Sequence, residues 1–176
     1  MSYSTILFEI KEQVAIIRLN LPKQLNALTN QMIDDLMGAC ERITESQEIR
    51  AAVITGMGKG FCAGGDLEEL KTCYGGPVGF ARHMERVSRL MIALDELPVP
   101  LIAAVNGAAV GAGMNIALCA DLVIASEKAK FSEIFANIGL VPDLGGTYFL
   151  PRLVGRQRAK ELIFSARMVS AEEALH

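Results

Sequence analysis

Apolar positions along this chain recur with two periods, and the changes from one to the other mark its elements. Residues 6–10 and 14–19 are apolar runs rich in isoleucine, separated by Lys11-Glu12-Gln13, which predicts a hairpin. Pro22 breaks the pattern. Thr29 is a capping residue type, and after it Met32, Ile33, Leu36, Met37, Cys40 and Ile43 fall on one helical face. Residues 51–55 predict a buried strand and the glycine-rich residues 56–66 a loop. A short helix over residues 67–73 ends near Gly75-Gly76-Pro77. A longer one over residues 78–97 turns Met84, Val87, Leu90, Met91 and Leu94 inward.

The central stretch, residues 100–121, predicts a strand, a glycine-broken turn and the start of a helix. Its strand, residues 100–105, is apolar throughout and is expected to be buried on both faces. Gly111 and Gly113 allow backbone to come close to another segment. A helix opening there aims free N–H groups into the turn, where they can hold an anion or a carbonyl oxygen that becomes one. Residues 97–120 carry no formal charge, but two prolines, three glycines and two asparagines within the run argue against a membrane span. Residues 122–125 predict another buried strand, and 129–131 a short one. A loop spans 138–146, helices span 147–154 and 156–165, and 171–176 begin a helix that the chain end interrupts. Strands alternating with helices predict an α/β fold with a mostly parallel sheet. The two glycine turns then lie at one end of that sheet, facing each other.

With 176 residues the expectation is one domain over residues 1–176. Net charge is −3, the isoelectric point is near 5.5 and only 6% of residues are aromatic, which argues against a nucleic-acid partner. Residues 1–7 do not read as a cleavable leader. Cys40, Cys62, Cys73 and Cys119 are widely spaced and form no CxxC pair, and His83 and His176 form no metal motif. No metal site is expected, and reduced thiols in a cytoplasmic setting fit best. A mean hydropathy of +0.32 suggests surface covered by partner subunits. Neither glycine turn matches the GxxxxGK[ST] or GxGxxG nucleotide motifs. Cys62 with His83 could be imagined as a nucleophile pair, but a cysteine beside Phe61 in an apolar loop reads as structural.

Taken together, Asn26-Ala27-Leu28, the run Gly60-Phe61-Cys62-Ala63-Gly64-Gly65-Asp66-Leu67, residues 100–107, Cys119-Ala120-Asp121 and Gly145-Gly146-Thr147 resemble the crotonase superfamily, the enoyl-CoA hydratases and isomerases. The resemblance covers about residues 5–176 and implies a crotonase-like spiral of ββα units that binds an acyl-CoA thioester. It implies that the backbone N–H groups of Gly65 and Ala112 form an oxyanion hole beside Gly111. Lys23, Gln24, Asn26, Ala27, Ala63, Asp66 and Leu67 lie where the family binds the CoA nucleotide. Coenzyme A enters only as part of the substrate, and no other cofactor is implied. The family continues into C-terminal helices that build a trimer, so a homotrimer or hexamer is expected and the chain looks truncated.

The departures from the family pattern concern the acids. Hydratases of the family use two glutamates, where this chain carries Asn115 and Phe135. Neither can exchange a proton near neutral pH, although both remain in the expected substrate site. Glu133, two residues from the second position, is a displaced alternative. Asp143, among Leu140, Val141, Pro142 and Leu144, resembles the single acid of the enoyl-CoA isomerases. Its alternative role is a cap for the following helix. Hydration of 2-enoyl-CoA, other thioester chemistry at Asp143, and acyl-CoA binding without catalysis stay open beside isomerisation.

Overall fold

The structure is a computed structural model that describes residues 3–73 and 76–176, with Thr72 and Cys73 as backbone only. The break expected at Gly75, the Cys73 thiol and the first two residues of the opening segment lie outside the described residues. The hairpin forms as its sequence predicts. Strand β1 (Ile6–Lys11) pairs antiparallel with β2 (Val14–Leu19), with Lys11 opposite Val14. Glu12 and Gln13 take positive φ values of 50° and 68°, the twist that suits a two-residue hairpin turn.

Helix α1 (Asn30–Glu45) begins where Thr29 accepts a 3.1 Å hydrogen bond from the Met32 N–H. It buries Met32, Ile33, Leu36, Ala39, Cys40 and Ile43, while Met37 is only half-buried. The same face buries Asp35, whose carboxylate accepts from Ser4 N, Thr5 N and the Thr5 hydroxyl at 2.9, 2.7 and 2.7 Å. A buried charge is tolerated there because donors replace its hydration.

Beyond α1 the chain winds in ββα turns, each giving one strand to each of two sheets. The first turn is β3 (Ala51–Gly56) and β4 (Gly60–Cys62), followed by helices α2 (Leu67–Cys73) and α3 (Pro77–Asp95). The second is β5 (Leu101–Val105), β6 (Ala108–Val110) and helix α4 (Ala112–Cys119). The third is β7 (Leu122–Ala125) and β8 (Lys130–Ser132), with a 3₁₀ segment, Ile134–Ile138, and helix α5 (Gly146–Val154). Helix α6 (Arg156–Ser165), strand β9 (Val169–Ser170) and helix α7 (Ala171–Ala174) complete the described chain. The larger sheet has the order β1-β2-β3-β5-β7, parallel from β2 onward, and the smaller β4-β6-β8-β9 is parallel except for β9. This mixed α/β architecture is the spiral that the resemblance implies.

Several sequence expectations are corrected. Among the described residues there are two sheets rather than one, because the glycine-rich stretches expected as loops contain β4 and β6. β5 is not buried on both faces: Leu101, Ala103 and Val105 are buried, whereas Ile102 and Ala104 are half-exposed. β7 is apolar yet exposed along its whole length, with Ile124 at 63%. It is the edge strand of its sheet and hydrogen-bonds only to β5. Helix α3 follows its sequence, with Val87, Leu90, Met91 and Leu94 buried and Met84 at the margin of the core. No helix among the described residues is long and apolar enough to cross a membrane.

Burial alone would raise the Asp35 pKa, but hydrogen bonds from Thr5, Gln31 and Ser4 outweigh it and hold the carboxyl below its ordinary value. Asp35→Ala removes the acceptor that ties residues 4 and 5 to α1. We expect a loss of about 1.5–3 kcal/mol in urea unfolding at pH 7, the range for hydrogen bonds to a charged group. Because the folded-state pKa is lowered, this difference is present above the ordinary aspartate value and shrinks as pH falls through the folded one. A variant matching the parent at pH 7 would remove Asp35 from the list of stabilising contacts.

Candidate active site

β4 and β6 are adjacent parallel strands, so the turns that follow them leave the small sheet side by side. Two asparagines hold the first turn in shape. Asn26, fully buried, accepts from Leu21 N at 2.9 Å and donates to the carbonyls of Met57 and Gly60 at 3.0 and 2.9 Å. Asn106 accepts from Gly56 N at 3.1 Å and donates to Gly58 O at 3.1 Å. Backbone bonds from Leu28 N to Gly64 O (2.7 Å) and from Asp66 N to Leu28 O (3.2 Å) then fix Gly65 between them.

The second turn is held by Gly111, whose N–H donates to Ser132 O at 2.8 Å and whose carbonyl accepts from Asn115 N at 3.1 Å. α4 starts directly after it and packs backbone to backbone on β4. A Cβ at Gly113 would stand 2.1 Å from the Cys62 carbonyl oxygen, so only glycine permits this approach. The Gly65 and Ala112 N–H groups have no hydrogen-bond acceptor among the described residues. Both residues line one cavity of about 200 Å³. Leu67 and Leu70 of α2, His83 and Val87 of α3, Phe135 and Ile138 of the 3₁₀ segment, and Leu140 and Leu144 make its walls largely apolar.

Asp143 lines the same cavity. It does not cap α5, whose N-cap is Gly145 with no side-chain hydrogen bond, so the capping role weighed for it is absent. Its backbone carbonyl accepts from Gly146 N at 2.8 Å and from the Asn115 side-chain amide at 2.9 Å. Leu144 and Gly145 follow with φ of 42° and 77°. The carboxyl is left free, and burial pushes its pKa up to about 6, only partly opposed by its own backbone N–H.

Of the expected site residues, Ala63, Gly65, Leu67, Gly111, Ala112, Phe135 and Asp143 line the cavity. Asn115 does not. It is fully buried behind Asp143, where its amide anchors the Asp143 carbonyl, so its expected substrate contact is corrected to a supporting one. Lys23 and Gln24 are exposed on a 3₁₀ turn outside the cavity, next to the half-buried Ala27. The Asn26 side chain is spent within its own loop and offers nothing to a ligand. The Asp66 carboxylate accepts from Glu68 N and Glu69 N at 2.9 and 3.0 Å and so starts α2. Burial pushes the Cys62 thiol up to about 11, against a weaker lowering by the Gly64 N–H, which leaves no thiolate nucleophile at neutral pH.

Sequence reasoning undervalued Glu133. It is 1% exposed, and neither carboxyl oxygen has a hydrogen-bond partner among the described residues. Burial, and then the nearby Asp143 charge, push its pKa up to about 7, with the Asn115 amide working weakly the other way. Sequence reasoning also gave His83 no place in the cavity wall, because helical spacing alone did not put it beside α2. Burial, and then Arg86, lower its pKa, against a smaller opposing effect of Glu69.

The sequence model of the enoyl-CoA hydratase/isomerase family matches residues 9–176. A "Probable enoyl-CoA hydratase" of Rhodobacter capsulatus is 45% identical over 99% of this chain and 66% of its own length. The 1,2-epoxyphenylacetyl-CoA isomerase of Escherichia coli is 40% identical over 96% of this chain and 65% of its own. Among solved structures, an enoyl-CoA hydratase/isomerase of Cupriavidus metallidurans superposes with a TM-score of 0.92 at 41% identity, covering 99% of this chain and 65% of that one. The chain therefore belongs to the enoyl-CoA hydratase/isomerase family, within the crotonase superfamily. It spans 66% or less of the length of these relatives.

Gly113→Ala tests the geometry without touching the acids. The added methyl must push α4 from β4, and overpacking of this kind costs about 1–3 kcal/mol. We expect a lowered unfolding midpoint. An unchanged midpoint would show that the contact with Cys62 does not hold the turns together.

Proposed function

We propose that this chain binds acyl-CoA thioesters and moves the double bond of a 3-enoyl-CoA to give the 2-enoyl-CoA. One observation carries this reading: Asp143, with its raised pKa, shares a small apolar cavity with the two free N–H groups of Gly65 and Ala112. In the proposed reaction the Asp143 carboxylate takes a proton from C2, beside the thioester. The electron pair released from the C2–H bond spreads into a dienolate. Its negative charge gathers on the thioester oxygen, held by the Gly65 and Ala112 amides, each such donor being worth about 3 kcal/mol of barrier. The Asp143 carboxyl returns the proton at C4. No water is consumed, and no cofactor is needed beyond the CoA that the substrate carries.

Phe135 is the proposed acyl-side contact, and Lys23, Gln24, Ala27, Ala63, Asp66 and Leu67 the nucleotide-side ones, with Ala63 and Leu67 also lining the cavity. Relatives whose names divide between hydratase and isomerase agree with either activity. Hydration of 2-enoyl-CoA is the second reading, favoured by the second buried carboxyl, Glu133. It ranks lower because Glu133 does not line the cavity. The exposed apolar edge of Leu122, Val123 and Ile124 supports assembly into a homotrimer or hexamer. Buried free thiols at Cys40, Cys62 and Cys119 support a reducing, cytoplasmic setting.

Incubation with 3-enoyl-CoA should give a product of unchanged mass, and incubation with 2-enoyl-CoA little or no gain of water. The base form of Asp143 is required, so the rate should rise as pH climbs through about 6. Asp143→Asn should keep acyl-CoA binding and lose roughly 10²–10⁴-fold in isomerisation. A parent that hydrates crotonyl-CoA at an ordinary enzymatic rate, or an Asp143→Asn variant that isomerises as the parent does, would overturn the reading. Light scattering that finds an active monomer would remove the proposed assembly.

A further inference from the structure

At the cavity wall and just behind it, the side chains of Asn115, Glu133 and Asp143 bring together more buried acceptor atoms than the cluster has donors. Asn115 Oδ1, both carboxyl oxygens of Glu133 and Asp143 Oδ1 are buried without a partner. The Ser132 hydroxyl donates to Ala166 O at 3.0 Å, and one N–H of the Asn115 amide to Asp143 O at 2.9 Å. The second amide N–H is the weak opposing influence on Glu133, one donor against four acceptor atoms. A second ionised carboxylate in such a place would be costly, because burial strips its water and Asp143 adds a like charge. A neutral carboxylic acid instead brings an O–H, a further donor for a cluster that is short of them.

We propose that Glu133 is held as the neutral acid and supplies the proton missing from the Asn115–Glu133–Asp143 cluster, so that Asp143 alone carries the charge in the site. Glu133 is thus a positioning residue. It is shut off from the cavity, and it acts on the reaction through the protonation state and placement of Asp143. Of the charged groups among the described residues, Asp143 is the one that acts on Glu133, and the facing residue of α4, Asn115, is uncharged. The pair then loses its protons in two steps, Asp143 first and Glu133 second. Once the second proton is gone, a fixed negative charge stands close to where the dienolate must form. The rate should therefore fall as pH rises beyond about 7, in addition to the rise through about 6. The kinetic part rests on Asp143 being the base, whereas the protonation of Glu133 does not.

The test is carbon-13 NMR of the protein labelled at the glutamate carboxyl carbons, titrated without substrate, alongside pH–rate profiles for 3-enoyl-CoA. In the parent, one glutamate should titrate near 7, and its signal should vanish in Glu133→Gln. In Asp143→Asn the same signal should titrate about one pH unit lower, because the opposing charge is gone. This comparison leaves position 133 intact, so it stands even if Glu133→Gln does not fold. In Glu133→Gln the fall of the rate above neutral pH should be lost. The inference is overturned if every glutamate titrates near the ordinary value of about 4.3, if the signal does not move in Asp143→Asn, or if Glu133→Gln keeps the fall at high pH. A signal near 7 that moves in Asp143→Asn, found in a protein with no isomerase activity, upholds the neutral Glu133 while refuting the isomerase reading. Asp143-dependent turnover with an ordinary Glu133 does the reverse.

Discussion

The contact between the start of α4 and the end of β4, with no side chain in between, is the constraint on which the site depends. Gly113 lies against the Cys62 carbonyl, and a Cβ on Gly64 would come within 2.9 Å of the Val110 carbonyl. Backbone surfaces this close hold their polar groups in fixed directions. The N–H groups of Gly65 and Ala112, residues that line the cavity, are left without an acceptor among the described residues. Preorganisation of this kind is what lets a pair of amides act on a developing charge, since nothing has to reorient when the charge appears.

Around that contact, asparagine does work that composition would assign to no particular role. Asn26 and Asn106 both donate to the carbonyl of Gly60. Asn115 reaches from α4 to the Asp143 carbonyl. An amide can donate and accept at once, so each of these side chains stitches irregular backbone that no strand or helix satisfies. At position 115 that amide acts as a brace, tying the loop that carries Asp143 to α4.

The electrostatics follow from the same burial. The apolar wall that shapes the cavity also removes water from Asp143 and Glu133, and the neutral form of each gains at the expense of the charged one. Asp35 shows the opposite outcome in the same fold. It too is buried, but five donor atoms from residues 4, 5 and 31 surround it, and its pKa is lowered. The donors supplied to Asp35 lower its pKa, whereas Glu133 and Asp143, with few donors, are governed by burial.

The chain's own order of residues determined most of the elements. The isoleucine-rich runs of β1 and β2, the apolar face of α1 behind Thr29 and the face of α3 were legible, because local periodicity and capping act over a few residues. The glycine turns were legible as close backbone approaches for the same reason, whereas Asp143 was singled out by resemblance to the enoyl-CoA isomerases and not by any local period. Tertiary structure alone decided the rest. β4 and β6 are so short and glycine-rich that only pairing with each other makes them strands. β7 carries the composition of a buried strand but sits at a sheet edge, and apolarity does not tell whether the chain supplies its cover. Glu133 and Asp143 are ten residues apart in a stretch with no regular period. Their common burial beside Asn115 arises from the packing of three separate segments, which no local pattern encodes.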